Sequence, residues 1–183
     1  MFKNSGYFNK IFYFLSVFLL VFFVANPVLA FIERVSIDSA GVESNSDSSY
    51  PSFSSDARYV VFSSTATNLV AGDTNGVADV FVHDRQTNTT ERVSVDSSGN
   101  EGTGASTFSS ISSDGRYVAF ISDASDLVVA DTNGQTDVFV HDRQLDTTER
   151  VSVDSLGNEG TGGGSSYIPL ISSDGRYVVF DSR

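Results

Sequence analysis

The sequence predicts an all-β protein built from repeated four-stranded antiparallel units. Three observations carry that prediction. Long stretches of the chain recur at a fixed spacing of 58 residues. Each recurrence contains short runs of β-branched and aromatic residues bounded by Asp-Gly turns, the pattern of strands joined by hairpins. After residue 30, no segment combines helical periodicity with helix caps.

The repeat is dense. Glu33-Arg34-Val35-Ser36-Ile37-Asp38 returns as Glu91 to Asp96 and as Glu149 to Asp154, each step 58 residues. Asp79-Val80-Phe81-Val82-His83-Asp84-Arg85 returns unchanged at Asp137 to Arg143. Ser113-Asp114-Gly115-Arg116-Tyr117-Val118-Ala119-Phe120 matches Ser55 to Phe62 at 58 residues and Ser173 to Phe180 at 60. A repeat of this length is one supersecondary unit stacked on its neighbours.

Within each unit the elements follow in order. Tyr50 to Ser54 and Phe108 to Ser112 are short candidates for a first strand. Tyr59-Val60-Val61-Phe62 and Val80-Phe81-Val82 are apolar on both sides of the pleat, which suits strands covered on both faces. Arg92-Val93-Ser94-Val95 alternates instead and predicts an outer strand with one face in solvent. Asp114-Gly115 and Asp174-Gly175 place glycine where a hairpin needs φ > 0. The first unit has Ala57 at that position. A left-handed alanine costs about 1 kcal/mol, so a different turn or local strain is expected there.

Four short strands with the middle pair buried on both faces describe a β-propeller blade. The unit exceeds the usual blade length of about 40–45 residues. The excess lies in two long connectors between second and third strands, Ser63 to Ala78 and Ile121 to Thr136. The predicted organisation is an export signal over residues 1–30 and a partial propeller over 31–183. Its units fall at about 49–97, 107–155 and 165–183, an incomplete ring of about two and a half blades, with residues 31–40 as a leading outer strand. Propellers close with about four to eight blades. The expected reading is therefore a segment of a longer protein, ahead of a short chain that assembles from several copies.

The segments SDGRYVAF, DVFVHDR and TERVSVD resemble the TolB-type (WD-like) β-propeller repeat of exported bacterial proteins, over essentially all of residues 31 to 183. That resemblance implies a propeller fold outside the cytoplasm. The long connectors and the TERVSVD segment depart from TolB itself.

Charge and composition narrow the function classes. The chain has 183 residues and a net charge of −12. Of its 11 Lys+Arg, both lysines (Lys3 and Lys10) lie in the first ten residues, so nine arginines face 23 acids in the remainder. Such a surface repels phosphate backbones and anionic lipids, which disfavours nucleic-acid binding and electrostatic membrane docking. Hydrophobic content of 40% excludes a disordered tail. Lys3 and Lys10 precede an apolar stretch from Ile11 to Ala25, followed by Asn26-Pro27 and Val28-Leu29-Ala30, the layout of a signal peptide cut before Phe31. As a helix that stretch spans about 22 Å, short of the roughly 30 Å hydrocarbon core. The expected location is periplasmic, cell-surface or extracellular. No cysteine is present, which excludes a thiol nucleophile or a thiolate zinc site.

The acid-rich connectors are the best candidates for a site. Asp73, Asn75 and Asp79 recur as Asp131, Asn133 and Asp137, with Gly76 and Gly134 supplying a bend. Oxygen donors two residues apart, a glycine and a further Asp suit a loop around Ca²⁺, possible here at low affinity. An Asx-turn loop accounts for the same residues without a metal. His83 and His141 occupy one repeat position, as do Asp84 and Asp142, and repetition in each blade favours structural roles over catalysis. No catalytic residue and no other cofactor is expected. The leading function is a non-enzymatic, exported propeller that serves as a scaffold for a protein or glycan partner. The alternatives are a calcium-binding surface or matrix module, and the propeller part of a larger hydrolase.

Overall fold

A computed structural model describes residues 32–129, 131–160 and 166–182. The expected export signal, residues 1–30, lies outside the described residues. Among the described residues ten strands form and no helix. Strands β1 (Ser48–Phe53), β2 (Tyr59–Ser64), β3 (Asp79–Asp84) and β4 (Thr89–Arg92) make one antiparallel sheet in chain order. Strands β5 (Ser106–Ile111), β6 (Tyr117–Ser122), β7 (Asp137–Asp142) and β8 (Thr147–Arg150) repeat it, and β9 (Ser166–Ile171) with β10 (Val178–Ser182) begins a third. The fold is thus all-β, in propeller-type blades.

The two continuous apolar runs are neighbours in one sheet. Val61 stands opposite Val82 and Phe62 opposite Phe81. Because alternate side chains point to opposite faces, each blade has a valine side and a phenylalanine side. Val61, Val80, Val82 and Val93 of the first blade share one buried cluster with Phe120, Phe139, Ala124 and Leu127 of the second. The valine side of one blade therefore packs on the phenylalanine side of the next. Both faces of the central strands are dry, which is why β2 and β3 do not alternate in polarity. On the first blade's other side, Phe62 and Phe81 cluster with Ala66 and Leu69 of the long connector.

The hairpin turns interlock the blades. The Tyr59 ring lies so close to Gly115 that a Cβ there would approach its Cδ2 to 2.0 Å, and Tyr117 meets Gly175 in the same way at 2.2 Å. Backbone bonds run between successive turns, from Ser55 N to Ser113 O at 3.2 Å and from Ser113 N to Ser173 O at 3.0 Å. Glycine at 115 thus meets two demands, a positive φ of 75° and room for the neighbour's ring.

Ala57 adopts the same turn rather than a different one. Its φ is 55°, and its N–H bonds Ser54 O at 2.8 Å as Gly115 N bonds Ser112 O at 3.0 Å. The expected strain is present.

Two expectations require correction. The outer strand is Thr89–Arg92, not Arg92 to Val95. Val93, Ser94 and Val95 are buried rather than half in solvent, because Val93 joins the interblade cluster and the Ser94 hydroxyl donates to Asp79. The leading segment forms no outer strand either. It contributes one isolated bridge, Ile37 to Glu43, matched by Val95 to Glu101 and Val153 to Glu159.

This stretch clasps the edge of the blade that follows it. Thr90 Oγ1 donates to Ile37 O at 2.5 Å and Thr90 N to Ser39 Oγ at 3.0 Å. Thr148 repeats both bonds with Val95 O and Ser97 Oγ.

The inner strands carry a further device. Tyr50, Phe108 and Ile168 have φ of 53°, 49° and 49°, each at a bulge. Left-handed conformation is rare for aromatic and especially for β-branched residues. The twist brings the Tyr50 and Phe108 rings to 4.1 Å between centroids.

Equivalent turn positions should respond with opposite signs. Gly115→Ala should cost roughly 2–4 kcal/mol, through both its φ and the Tyr59 ring. Ala57→Gly should leave the protein about 0.5 kcal/mol more stable, relief of strain being partly offset by unfolded-chain entropy. Urea unfolding midpoints of the two variants check the signs.

Candidate functional site

The connector acids come together, in company that their sequence spacing does not suggest. In the loop 72–79, Asn75 Oδ1 accepts from Val77 N at 3.1 Å and Gly76 takes φ of 70°, an Asx turn. Asn75 Nδ2 donates to Asp79 Oδ2 and to Gly102 O, both at 2.9 Å. The loop is therefore tied to the segment after β4. Thr74 strengthens the tie: its N–H donates to Glu101 Oε2 at 3.0 Å and its hydroxyl to Glu101 Oε1.

Asp73, Asp79 and Glu101 each place a carboxylate oxygen within 4.8 Å of the others, a group that could hold a metal ion. Arg92, at the end of β4, points into it. Its Nη1 lies 2.7 Å from Glu101, 3.5 Å from Asp79 and 3.6 Å from Asp73. The second blade repeats the arrangement, with Arg150 Nη1 at 2.9 Å from Glu159, 3.7 Å from Asp137 and 3.1 Å from Asp131. Asn133 again bonds Asp137, at 3.1 Å.

Burial pushes Asp73, Asp79 and Asp131 above the usual carboxylate range, and neighbouring acids add to this. Glu101 and Glu159 move the other way, because threonine hydrogen bonds hold their charged forms. Thr132 brings Glu159 down to about 2.

Glu101 and Arg92 escaped the sequence reading. A signal existed, since Asn100-Glu101-Gly102 recurs as Asn158-Glu159-Gly160 and Arg92 recurs as Arg150 at the same spacing.

The histidines are core residues. His83 is fully buried, and its Nδ1 lies 2.9 Å from Thr90 Oγ1. The Thr90 hydroxyl has one hydrogen and gives it to Ile37 O. Nδ1 of His83 must therefore carry the proton in this bond, and Nε2 is a bare acceptor, buried without a hydrogen-bond partner. His141 and Thr148 repeat the pair at 2.9 Å. Burial lowers the affinity of both rings for a second proton, against the opposing pull of Glu33 and Asp84 on His83 and of Glu91 on His141.

The repeated Asp-Arg dipeptides do not pair internally. Asp84 accepts a two-pronged contact from Arg58 of the hairpin turn, at 3.0 and 2.7 Å, and Asp142 one from Arg116 at 2.9 and 2.6 Å. Arg85 instead binds Glu33 at 2.8 Å, and Arg143 binds Glu91 at 2.5 Å. Arg143 also lies over the Tyr59 ring, 4.5 Å from its centroid. The arginine forks hold Asp84 and Asp142 well below the usual carboxylate range.

These shifts fix the sign of acid sensitivity. A histidine with a lowered folded pKa stabilises fully above its unfolded value of about 6.5 and loses that contribution as pH falls through the window below it. Asp84 and Asp142, whose folded values are depressed, lose theirs only below about pH 4. Thermal stability should thus fall in two stages on acidification, the first partly offset by Asp73, Asp79 and Asp131, whose raised folded values contribute in the opposite sense. In a His83→Gln, His141→Gln double variant the first stage should disappear and the second remain, as read by melting temperature between pH 7.5 and 3.

Neither a protein-family model nor a curated protein matches the chain. Among solved structures, a TolB from Agrobacterium tumefaciens is 20% identical, with a TM-score of 0.50, over 75% of this chain and 39% of that one. TolB from Acinetobacter baumannii is 19% identical over 76% of this chain and 27% of that one, with a TM-score of 0.48. The β-propeller domain of the Trilobed protease from Pyrococcus furiosus is 13% identical over 74% and 34%, with a TM-score of 0.48. The chain spans well under half the length of these proteins. The Agrobacterium match and the sheet order agree: the chain has a TolB-like β-propeller fold, of which the described residues form two four-stranded blades and the first two strands of a third.

Proposed function

We propose that the protein is an exported, non-enzymatic β-propeller module that presents its loops to a protein or glycan partner. One observation carries this reading. The polar groups best suited to chemistry occur twice, with the same partners, and those partners are structural. His83 and His141 serve the clasps, Asp84 and Asp142 anchor hairpin arginines, and the connector acids bind Arg92 and Arg150. Partner specificity then belongs where the blades differ. Val77-Ala78 of the first blade corresponds to Gln135-Thr136 of the second, and Thr87-Asn88 to Leu145-Asp146. Leu145 stands 63% exposed at the β7–β8 turn, one of these differing positions and accessible to a probe.

Three measurements test this. Residues 1–30 fused to a phosphatase reporter should give active, exported enzyme, and retention in the cytoplasm would remove the export half. A photo-crosslinker at Leu145 should yield a discrete adduct in the native envelope or medium that Leu145→Asp competes poorly for. A hydrolytic activity abolished by His83→Gln in a folded protein would overturn the non-enzymatic half.

A second reading, a calcium-stabilised module, is favoured by Asp73. Its side chain is 2% exposed, and its Oδ1 points into the carboxylate cluster without a hydrogen-bond partner. A site in the weak millimolar class, at ten times its Kd in calcium, adds about 1.4 kcal/mol, or roughly 3–5 °C in melting temperature. Melting in calcium against EGTA reads this, and an unchanged midpoint contradicts it.

A further inference from the structure

We propose that Arg92 is the resident occupant of a divalent-cation seat made by Asp73, Asp79 and Glu101, and that Ca²⁺ enters by displacing its guanidinium. This rests on the calcium reading above and specifies the ligands and what controls them.

The geometry of Arg92 differs from that of an arginine in a dedicated ion pair. Arg58 in the same blade meets Asp84 with its Nε and Nη2 on the two carboxylate oxygens, the usual fork. Arg92 instead brings one nitrogen, Nη1, among three carboxylates, while its Nε is buried with no hydrogen-bond partner. It fills the seat as a point cation, and leaves both its own Nε and Asp73 Oδ1 without hydrogen bonds. Asp73 Oδ1 has an ion-pair contact to Nη1 at 3.6 Å but no hydrogen bond, and a buried carboxylate oxygen so placed is one that a hard cation can ligate.

The donor set fits that cation. Three carboxylates converge, and the Gly72 carbonyl accepts from Arg92 Nη2 at 3.4 Å. Calcium takes oxygen ligands only, six to eight of them, and tolerates irregular geometry. Asn75 is not among the donors, since its Oδ1 is held by Val77 N and its amide nitrogen faces Asp79. Three carboxylates with one arginine carry a net charge of −2, and replacing the guanidinium by Ca²⁺ reduces this to −1. Arg92 sits on the last residue of β4, so its side chain can leave the seat without breaking the ladder. Because one cation must leave before the other enters, arginine sets the calcium affinity at the weak end.

Calcium titration of the full chain, by calorimetry with terbium luminescence as a second readout, tests the exchange. Arg92→Gln should bind about tenfold more tightly or better than wild type. Arg92→Lys should stay near wild type, because it retains a competing charge, and Arg92→Gln with Glu101→Gln should lose the gain. Circular dichroism confirms folding, and Arg150→Gln asks the same question in the second blade if Arg92→Gln does not fold. Equal calcium affinity in wild type and Arg92→Gln overturns the exchange and leaves the calcium reading standing. No binding by either up to about 10 mM calcium overturns both.

Discussion

The rest of the structure depends on blades packing face to face, the valine side of one on the phenylalanine side of the next. In the first blade Ala66 and Leu69 of the connector cover Phe62 and Phe81, but without the second blade Val61, Val82 and Val93 would lie in water. Stacking removes them from solvent at about 25 cal/mol per Å² of apolar surface. The exception proves the cause. Val179 occupies the repeat position of Val61 and Ala119, which are fully buried, yet it is 65% exposed where no described blade covers it.

Once faces are committed to packing, polar groups must be satisfied within the blade or at its rim. That requirement accounts for the recurring partnerships. Each Asp at the end of a third strand takes a fork from the hairpin arginine, each buried histidine gives its proton to a clasp threonine, and each connector loop is drawn onto the segment after the fourth strand by Thr74 or Thr132. The clasps and the tyrosine-on-glycine contacts then fix how successive blades sit, so that the repeat is a rule for stacking as much as for folding. The acid clusters are where this economy is least complete, with Asp73 Oδ1 and Arg92 Nε both lacking hydrogen bonds.

Much of the fold was legible because its causes are local. Continuous Val and Phe runs mark strands dry on both faces, and Asp-Gly marks the hairpins. The outer strand was misplaced because Arg92-Val93-Ser94-Val95 alternates for another reason: Val93 enters the interblade core while Ser94 caps Asp79. The bulges at Tyr50, Phe108 and Ile168 were illegible, since no residue preference would put aromatic or β-branched residues at positive φ. At the site, Asp73 and Asp79 were visible as neighbours in sequence. Glu101, 27 residues beyond Thr74 with which it bonds, was reachable only through the blade's closure. Arg58, 26 residues from Asp84, is a partner of the same kind, hidden behind the closer Arg85.

The most direct test is a double-mutant cycle across the blade junction, with Val82→Ala in β3 and Phe120→Leu in β6 measured singly and together by equilibrium unfolding. Both side chains lie in one buried cluster though they belong to different sheets. Face-to-face stacking predicts a coupling of about 0.5–3 kcal/mol between them. Additive effects, with each blade losing stability independently of the other, would contradict it.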